Sequence, residues 1–576
     1  MQNSKRCLLL GMLMIGGMAF LMAGVVHSQT IIYGKITGTI ADSEGEYLPG
    51  VTVEITSPSL IRGSLSTITS DKGSFVFLNL PVGDYVIKAS LQGFKTAVQD
   101  DIRISAGQSR VINLILETGM IEEEVTVTAP SPVVDAKSSQ IFSNIESEML
   151  EKLPTSRDAF YDLSLSTAGM VAQGKDGTWL PSPSAYGSTS NENVFLINGV
   201  NTTNPRLAAS GSLVAVNYNA VEEVRVIALG TKAEYGNFSG VAIDVLTKSG
   251  SNTFHGNASI YTILGEAADN QPGGDDRYVM YDNWGPENAD LFIGARDDIL
   301  RYQKKEYEGN FTLGGPIIKD RIWFYGGFDY MKSQTKEPFW SVMNNYLGRF
   351  GDIKVSAEPW LNHRAWMAYH YENNDGDGWT WNPHWDDTMT YGQAAVTHSI
   401  STQWQWMMTG KTILTAKYLG FWRDDQPHIP DDAPSHPGYI NWWKWNVYGI
   451  NGAFPYVEAQ KSSRNTFQAD MSHYAEDFLG EHDIKFGVQY TLGRGDWMGG
   501  YFQGYANFAY PAPWTQNINY MKSWYGHTGV PFYVTKLYLN PFLTVRHSDT
   551  LGFFLDDQWS PTKRLTINVG LRYDRM

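Results

Sequence analysis

From Phe254 onward, apolar and polar residues alternate with a period of two, and this pattern constrains the fold more than any other feature of the chain. In the segment ending at Asp574, Leu565, Ile567, Val569, Leu571 and Tyr573 share one face of an extended strand, while Arg564, Thr566, Asn568, Arg572 and Asp574 share the other. The alternation recurs at Ile484, Phe486, Val488, Tyr490 and Leu492, at Ile322, Phe324, Phe328 and Tyr330, and at Ile353, Val355 and Ala357. A soluble β-sandwich alternates too, so the period alone leaves two architectures open. Trp and Tyr cluster near strand ends, as interfacial girdles do, and long polar loops separate hairpins with short turns. Both features favour an antiparallel transmembrane β-barrel, whose strands cross the bilayer in roughly 9 to 11 residues with the apolar face to lipid.

The other end of the chain supplies the compartment. Lys5 and Arg6 precede an apolar run from Leu8 to Phe20, and Val26 and Ser28 fit a cleavage site, so residues 1–28 read as a secretory signal with Gln29 as the mature N-terminus. Cys7 is the only cysteine and leaves with the signal, which excludes a disulfide scaffold, a thiolate metal site and a cysteine nucleophile in the mature chain. No later stretch approaches the length of apolar run that a membrane helix needs. The 44 Lys and Arg against 60 Asp and Glu make the chain acidic, which excludes nucleic acid as a partner, because phosphate binding needs a basic face.

Between these ends lie two further regions. Residues 29–119 show short alternating strands separated by turns, as in GKITGTI and VTVEI, and predict a small β-sandwich. Gly73, Gly83 and Gly93 punctuate its strands, Pro81 opens a turn, and Phe75, Phe77, Leu80 and Tyr85 supply core. With Leu48-Pro49-Gly50-Val51, these residues resemble the carboxypeptidase-regulatory-like, or transthyretin-like, β-sandwich domain, a likeness that implies no peptidase activity.

Residues 120–250 change character. The run IEEEVTVTAPSPVVD is extended, and a mixed α/β segment follows, with helical spacing in ESEMLEKLPTSRDAFYDL that is broken at Pro154 and strands at VFLINGV, VEEVRVIAL and GVAIDVLTKSG. Leu153-Pro154 with Arg157, Asn198-Gly199-Val200, Val221-Glu222-Glu223-Val224, Ala233-Glu234-Tyr235-Gly236 and Thr247-Lys248-Ser249-Gly250 before Phe254-His255-Gly256 resemble the plug domain of TonB-dependent receptors. With the sandwich ahead of them, and with LGGPIIKDRIWFYGGFDY as a first barrel hairpin turning at Lys319-Asp320, the match is to the Oar-like branch of that family.

The resemblance implies a gated importer in the cell outer membrane. Its plug fills a barrel of about 22 strands. A periplasmic segment, the TonB box, pairs as an added strand with TonB of the inner-membrane energy-coupling complex. Glu123, Glu124, Val125, Thr126, Val127 and Thr128 match that segment, since an alternating run of β-formers in a linker suits strand addition. Arg157, Glu223 and Arg225 match charged plug positions that, by the resemblance, pair with the barrel wall. Asn198 stands where the family usually carries an acidic residue before Gly. Residues 251–576 offer about a dozen strand candidates, so the expectation is the N-terminal part of such a barrel, apparently truncated.

Three constellations bear on chemistry. His473 and Glu476 have the H-x-x-E spacing of zinc carboxypeptidases, but in a strand they point to opposite faces and cannot share an ion. Asn373, Asp375, Asp377 and Gly378 fit the opening of a calcium loop, whose twelfth position is here His384 in place of the bidentate Glu. Trp379, Trp381 and Trp385 beside Asp386 and Asp387 form a candidate extracellular surface for a sugar or peptide ligand, against the plainer reading of tryptophans packing among themselves in a loop. No catalytic residue, metal site or cofactor is expected, and the chain does not read as an enzyme. The expected partners are TonB, outer-membrane lipid and an unidentified extracellular ligand. The expected function is import of a large nutrient of the oligosaccharide, siderophore or peptide class. The alternatives are a surface adhesion protein anchored by its barrel, or a non-functional gene fragment.

Overall fold

The computed structural model describes residues 33–119, 124–126, 141–152, 167, 169–173, 182–185, 187–189, 192–204, 214, 218–236, 239–263, 303–336, 343–379, 391–428, 439–443, 446–450, 456–476, 478–501, 505–511, 532–538, 542–562 and 565–576. The expected signal segment, residues 1–28, lies outside them.

The first unit is a β-sandwich. Its strands are β1 (Gly34–Asp42), β2 (Thr52–Thr56), β3 (Ser64–Ile68), β4 (Ser74–Leu80), β5 (Gly83–Ser90), β6 (Thr96–Ile104), β7 (Ser109–Val111), β8 (Leu114–Leu116) and β9 (Glu124–Thr126). One sheet runs β4-β1-β7, with β8 also on β1, and the other runs β3-β2-β5-β6-β9. β5 shows why the sheets stack: Tyr85, Ile87 and Ala89 are buried while Asp84, Val86 and Lys88 are exposed. The buried set joins Ile36, Ile40, Val53, Ile55, Ile102 and Leu114 in a single apolar core.

The second unit is the plug. It comprises β10 (Ile141–Glu146), a short helix α1 (Ser147–Lys152), β11 (Met170–Gln173), β12 (Ser182–Ala185), β13 (Val194–Ile197), β14 (Val200–Asn201), β15 (Val221–Leu229) and β16 (Ala242–Thr247). Its main sheet has the order β10-β15-β16-β13-β14, with β13 and β16 parallel. Asn198 and Gly199, at φ 46° and 83°, make the two-residue turn between β13 and β14, the left-handed pair that an Asn-Gly hairpin requires. The buried core of this sheet, Phe195, Ile197, Val224, Val226, Ile243 and Val245, is completed by Leu419 and Phe421 from outside the plug.

Those two residues belong to the third unit. Its strands are β17 (His255–Ile263), β18 (Gln303–Ile318), β19 (Ile322–Lys336), β20 (Asn344–Ala357), β21 (His363–Trp379), β22 (Tyr391–Thr409), β23 (Thr412–His428), β24 (Tyr439–Trp443), β25 (Asn446–Ile450), β26 (Tyr456–Ala475), β27 (Glu481–Tyr501), β28 (Tyr505–Pro511), β29 (Phe532–Tyr538), β30 (Phe542–Thr562) and β31 (Leu565–Arg575). Eleven of them form one antiparallel sheet, β17-β18-β19-β20-β21-β22-β23-β26-β27-β30-β31, which stays open between β17 and β31; β24, β25, β28 and β29 make a small separate sheet.

This large sheet is built inside out. In β18, Glu306, Glu308, Asn310 and Thr312 are 2–5% exposed, whereas Tyr307, Phe311 and Leu313 are 49, 54 and 39% exposed. A sheet in water that buried its carboxylates and presented its aromatics would be unstable and sticky. Facing lipid outside and a polar lumen inside, the same pattern is the stable one. The period-two alternation therefore resolves in favour of the membrane barrel. Its strands connect by short turns at one end, as at Asp320 and Asn362, and by long segments at the other, which orients the short-turn end toward the periplasm.

Candidate functional site

The plug touches the wall through polar groups on many strands. Arg464 of β26 donates to the carbonyls of Asn201 and Thr203, at 2.9 and 3.0 Å, and to the Asn201 side chain at 2.6 Å. Ser401 of β22 donates to Asn198 O at 2.8 Å, and Lys354 of β20 to Thr247 O at 2.9 Å. The tightest grip falls on Ala233-Glu234-Tyr235-Gly236. Asp556 of β30 accepts from Ala233 N at 2.8 Å, Arg572 of β31 donates to Glu234 O at 3.0 Å, and Lys485 of β27 pairs with the fully buried Glu234 carboxylate at 2.6 Å. A Cβ on Gly236 would fall 2.3 Å from the Arg572 guanidinium, so a larger residue would force that side chain to shift. Hydrogen bonds of this kind are individually cheap to exchange for water, because a displaced plug rehydrates each group. A cavity of about 130 Å³ lies alongside, lined by Lys35, Lys417, Lys485, Asp470, Asp483 and Asp556, and it joins sandwich, plug and wall.

The sandwich closes this junction from the periplasmic side. Arg62 pairs with Glu358 at 3.0 Å, and Glu358 also holds Arg364 at 2.7 Å, whose guanidinium donates to Asn79 O at 3.1 Å. Trp366 and Gln403 donate to the Tyr33 hydroxyl at 3.0 and 3.1 Å, Lys35 pairs with Asp483, and Ser74 bonds Glu476. Toward the plug, Arg103 meets Glu146 at 3.4 Å and Glu222 at 4.0 Å.

Glu223 and Arg225 lie on one face of β15 beneath the sandwich. Glu223 is fully buried and accepts the Ala106 N–H at 3.2 Å. The Arg225 guanidinium lies against Gly107, where a Cβ would clash at 2.4 Å. Burial pushes the Glu223 carboxyl up to about 7, against the opposing pull of Arg225 and the Ala106 N–H. Asp244, opposite Arg225 on β16, is likewise raised by burial to about 7, although the Gly199 N–H and Arg225 favour its charged form.

The charged plug positions expected to pair with the wall lie as follows. The two described ones, Glu223 and Arg225, reach the sandwich, and Glu234 takes the wall contact through Lys485. Arg157 lies outside the described residues. Of the TonB-box-like run, Glu124, Val125 and Thr126 form β9, while Glu123, Val127 and Thr128 lie outside the described residues. Trp379 ends β21; Trp381, Trp385, Asp386, Asp387 and His384 lie outside them. Asn373, Asp375 and Asp377 pair in extended register with Arg349, Leu347 and Asn345, so a strand occupies the position read as the opening of a calcium loop. His473 bonds Thr412 at 2.9 Å while Glu476 bonds Lys411 and Ser74, separate partners for the H-x-x-E pair. Lys485, Arg464 and Lys354 were not anticipated; their signal was a cation on the polar face of an alternating strand.

An inside-out sheet wrapped on a mixed plug, with a sandwich at its short-turn mouth, defines a plugged outer-membrane β-barrel protein. The family described as carboxypeptidase regulatory-like domain matches residues 35–117, and that described as outer membrane beta barrel domain matches residues 339–576. TonB-dependent transporter Oar of Myxococcus xanthus is 26% identical over 327 residues, 55% of this chain and 28% of that protein. The outer membrane transporter YddB of Escherichia coli superposes with a TM-score of 0.52 at 13% identity, over 77% of this chain and 58% of that one. FpvA of P. aeruginosa, solved bound to pyoverdines, gives 0.50 at 12% identity, over 76% and 51%. The chain is an outer-membrane protein that joins these two domains, homologous to TonB-dependent transporter Oar and to no enzyme among these relatives. Its match spans under a third of that relative and just over half of each solved chain.

Proposed function

We propose that the chain acts as a TonB-dependent outer-membrane receptor that imports a large nutrient, of the oligosaccharide, siderophore or peptide class, by displacement of its plug. The observation that carries this reading is the polar seam around the plug: Arg464, Ser401, Lys354, Lys485 and Arg572 grip its main chain and Glu234. Apart from the apolar contact of Leu419 and Phe421, the plug is held by hydrogen bonds that water can replace, and such a seam suits a part that moves. The run Glu123 to Thr128 is the coupling segment, offering alternate β-formers for strand addition to TonB. Pairs such as Lys485 with Glu234 keep the plug seated until force is applied.

The test is growth of a host on a panel of oligosaccharides, ferric siderophores and peptides as limiting nutrient. Replacing Val125 and Val127 by proline removes strand-addition donors and is expected to abolish growth on the transported class. Surface binding with growth indifferent to those prolines would sink the reading and favour an adhesin.

A further inference from the structure

β9, the central part of the coupling segment, is not a free strand. Thr96, Ala97 and Val98 of β6 face Glu124, Val125 and Thr126 in parallel register, which makes β9 the edge strand of the sandwich's five-stranded sheet. The chain arrives there by a short path. Thr118 bridges Phe94, Lys95 N donates to Glu117 O at 2.8 Å and Gly119 N to Gly93 O at 3.1 Å, and a few residues later Glu124 lies beside Thr96.

We infer that the edge of β6 is a docking site for the chain's own coupling segment, occupied by Glu124–Thr126 at rest, and that it withholds this segment from TonB. The inference rests on the coupling role proposed above and adds its regulation. The physical case is competition for the strand. An uncovered β6 edge would leave N–H and C=O groups open for pairing, and residues 124–126, engaged along one side by β6, must leave it before TonB can pair on that side. The tether makes the internal partner strong by proximity: a short linker gives an effective concentration in the millimolar range, which a soluble competitor must exceed. The contact itself is only three residues long, so it is a reversible restraint. The sandwich that carries it is fixed to the barrel rim through Arg62, Lys35 and Ser74, which keeps the dock at the periplasmic mouth.

The experiment is a cross-link in the full chain, carried in outer-membrane vesicles. Val98→Cys with Thr126→Cys joins partners in the observed register, and with Cys7→Ser no other cysteine competes. Diamide is the oxidant, and the probe is the soluble periplasmic domain of the host's TonB. The double variant is expected to cross-link without added ligand, and each single variant not at all. The reduced form is expected to bind the TonB domain on the order of tenfold tighter than the oxidised form, the worth of one or two net backbone hydrogen bonds, with binding restored by reductant. Absence of the cross-link while both thiols react with a maleimide overturns the docking. A cross-link with equal TonB binding in the two forms overturns the withholding. If neither form binds the TonB domain although the cross-link forms, the coupling reading fails and the withholding with it, while the docking stands on the cross-link alone.

Discussion

β5 of the sandwich and β18 of the barrel are both alternating antiparallel strands, yet they hide opposite residues. β5 buries Tyr85, Ile87 and Ala89 and shows Asp84 and Lys88, whereas β18 buries Glu306 and Glu308 and shows Phe311 and Leu313. The backbone geometry is the same, so the difference lies in the medium on each side. A sandwich has water outside and itself inside; a plugged barrel has lipid outside and a second, polar object inside. Burial alone therefore says nothing about polarity in this chain.

The contrast can be broken most severely at the plug seam. Lys485→Met leaves Glu234 buried without its ion pair and is expected to destabilise plug seating by about 3–5 kcal/mol, far more than an exposed pair is worth. Protease nicking of the plug in isolated outer membranes measures it; an unchanged digestion rate would show that the pair is idle. Next comes the lipid face. Phe328→Arg, at a half-exposed site in the middle of β19, is expected to cost roughly 2–4 kcal/mol in reversible folding into lipid vesicles. A neutral outcome would mean that this face does not meet lipid.

A smaller effect is expected from pH at Glu223. Its folded carboxyl titrates near 7 against an ordinary value of 4.5, so the folded state binds the proton more tightly. The stability of the plug–sandwich junction is then fully present below the ordinary value and falls as pH rises from there through about 7. Thermal unfolding of the junction between pH 4 and 8 follows this, and Glu223→Gln is expected to flatten the slope. The smallest effect belongs to the sandwich surface: Ile68→Lys, at a side chain 66% exposed to water, is expected to shift stability by less than about 0.5 kcal/mol. A large loss there would place that edge against lipid or a partner and blur the comparison.

Much of this architecture was legible in the chain. Leu565, Ile567, Val569, Leu571 and Tyr573 share one face by their spacing; four of them are half or more exposed and Ile567 is intermediate. Period two is a local property, which is why it can be read without a structure. What a strand faces is relational and cannot. Glu223 and Arg225 are charged residues of the plug, but that they meet Ala106 and Gly107 depends on where the sandwich comes to rest. The small residues Ser105-Ala106-Gly107 were the available sign of a close approach. Leu419 and Phe421 break the barrel's own rule by turning apolar side chains inward, because the plug core ends at the wall there. The short β9 was read as an extended linker; whether such a segment stays free or joins a neighbouring sheet is decided by an edge elsewhere in the chain.

The Lys35 contact with Asp483 also has a meaning in time. It joins groups 448 residues apart, on the first strand of the sandwich and on β27. Contacts within the sandwich close short loops and form early, whereas this one waits until β27 has been made and has entered the membrane. Its appearance reports that β27 is in place, and a chain arrested before it would have a finished sandwich beside an unfinished wall.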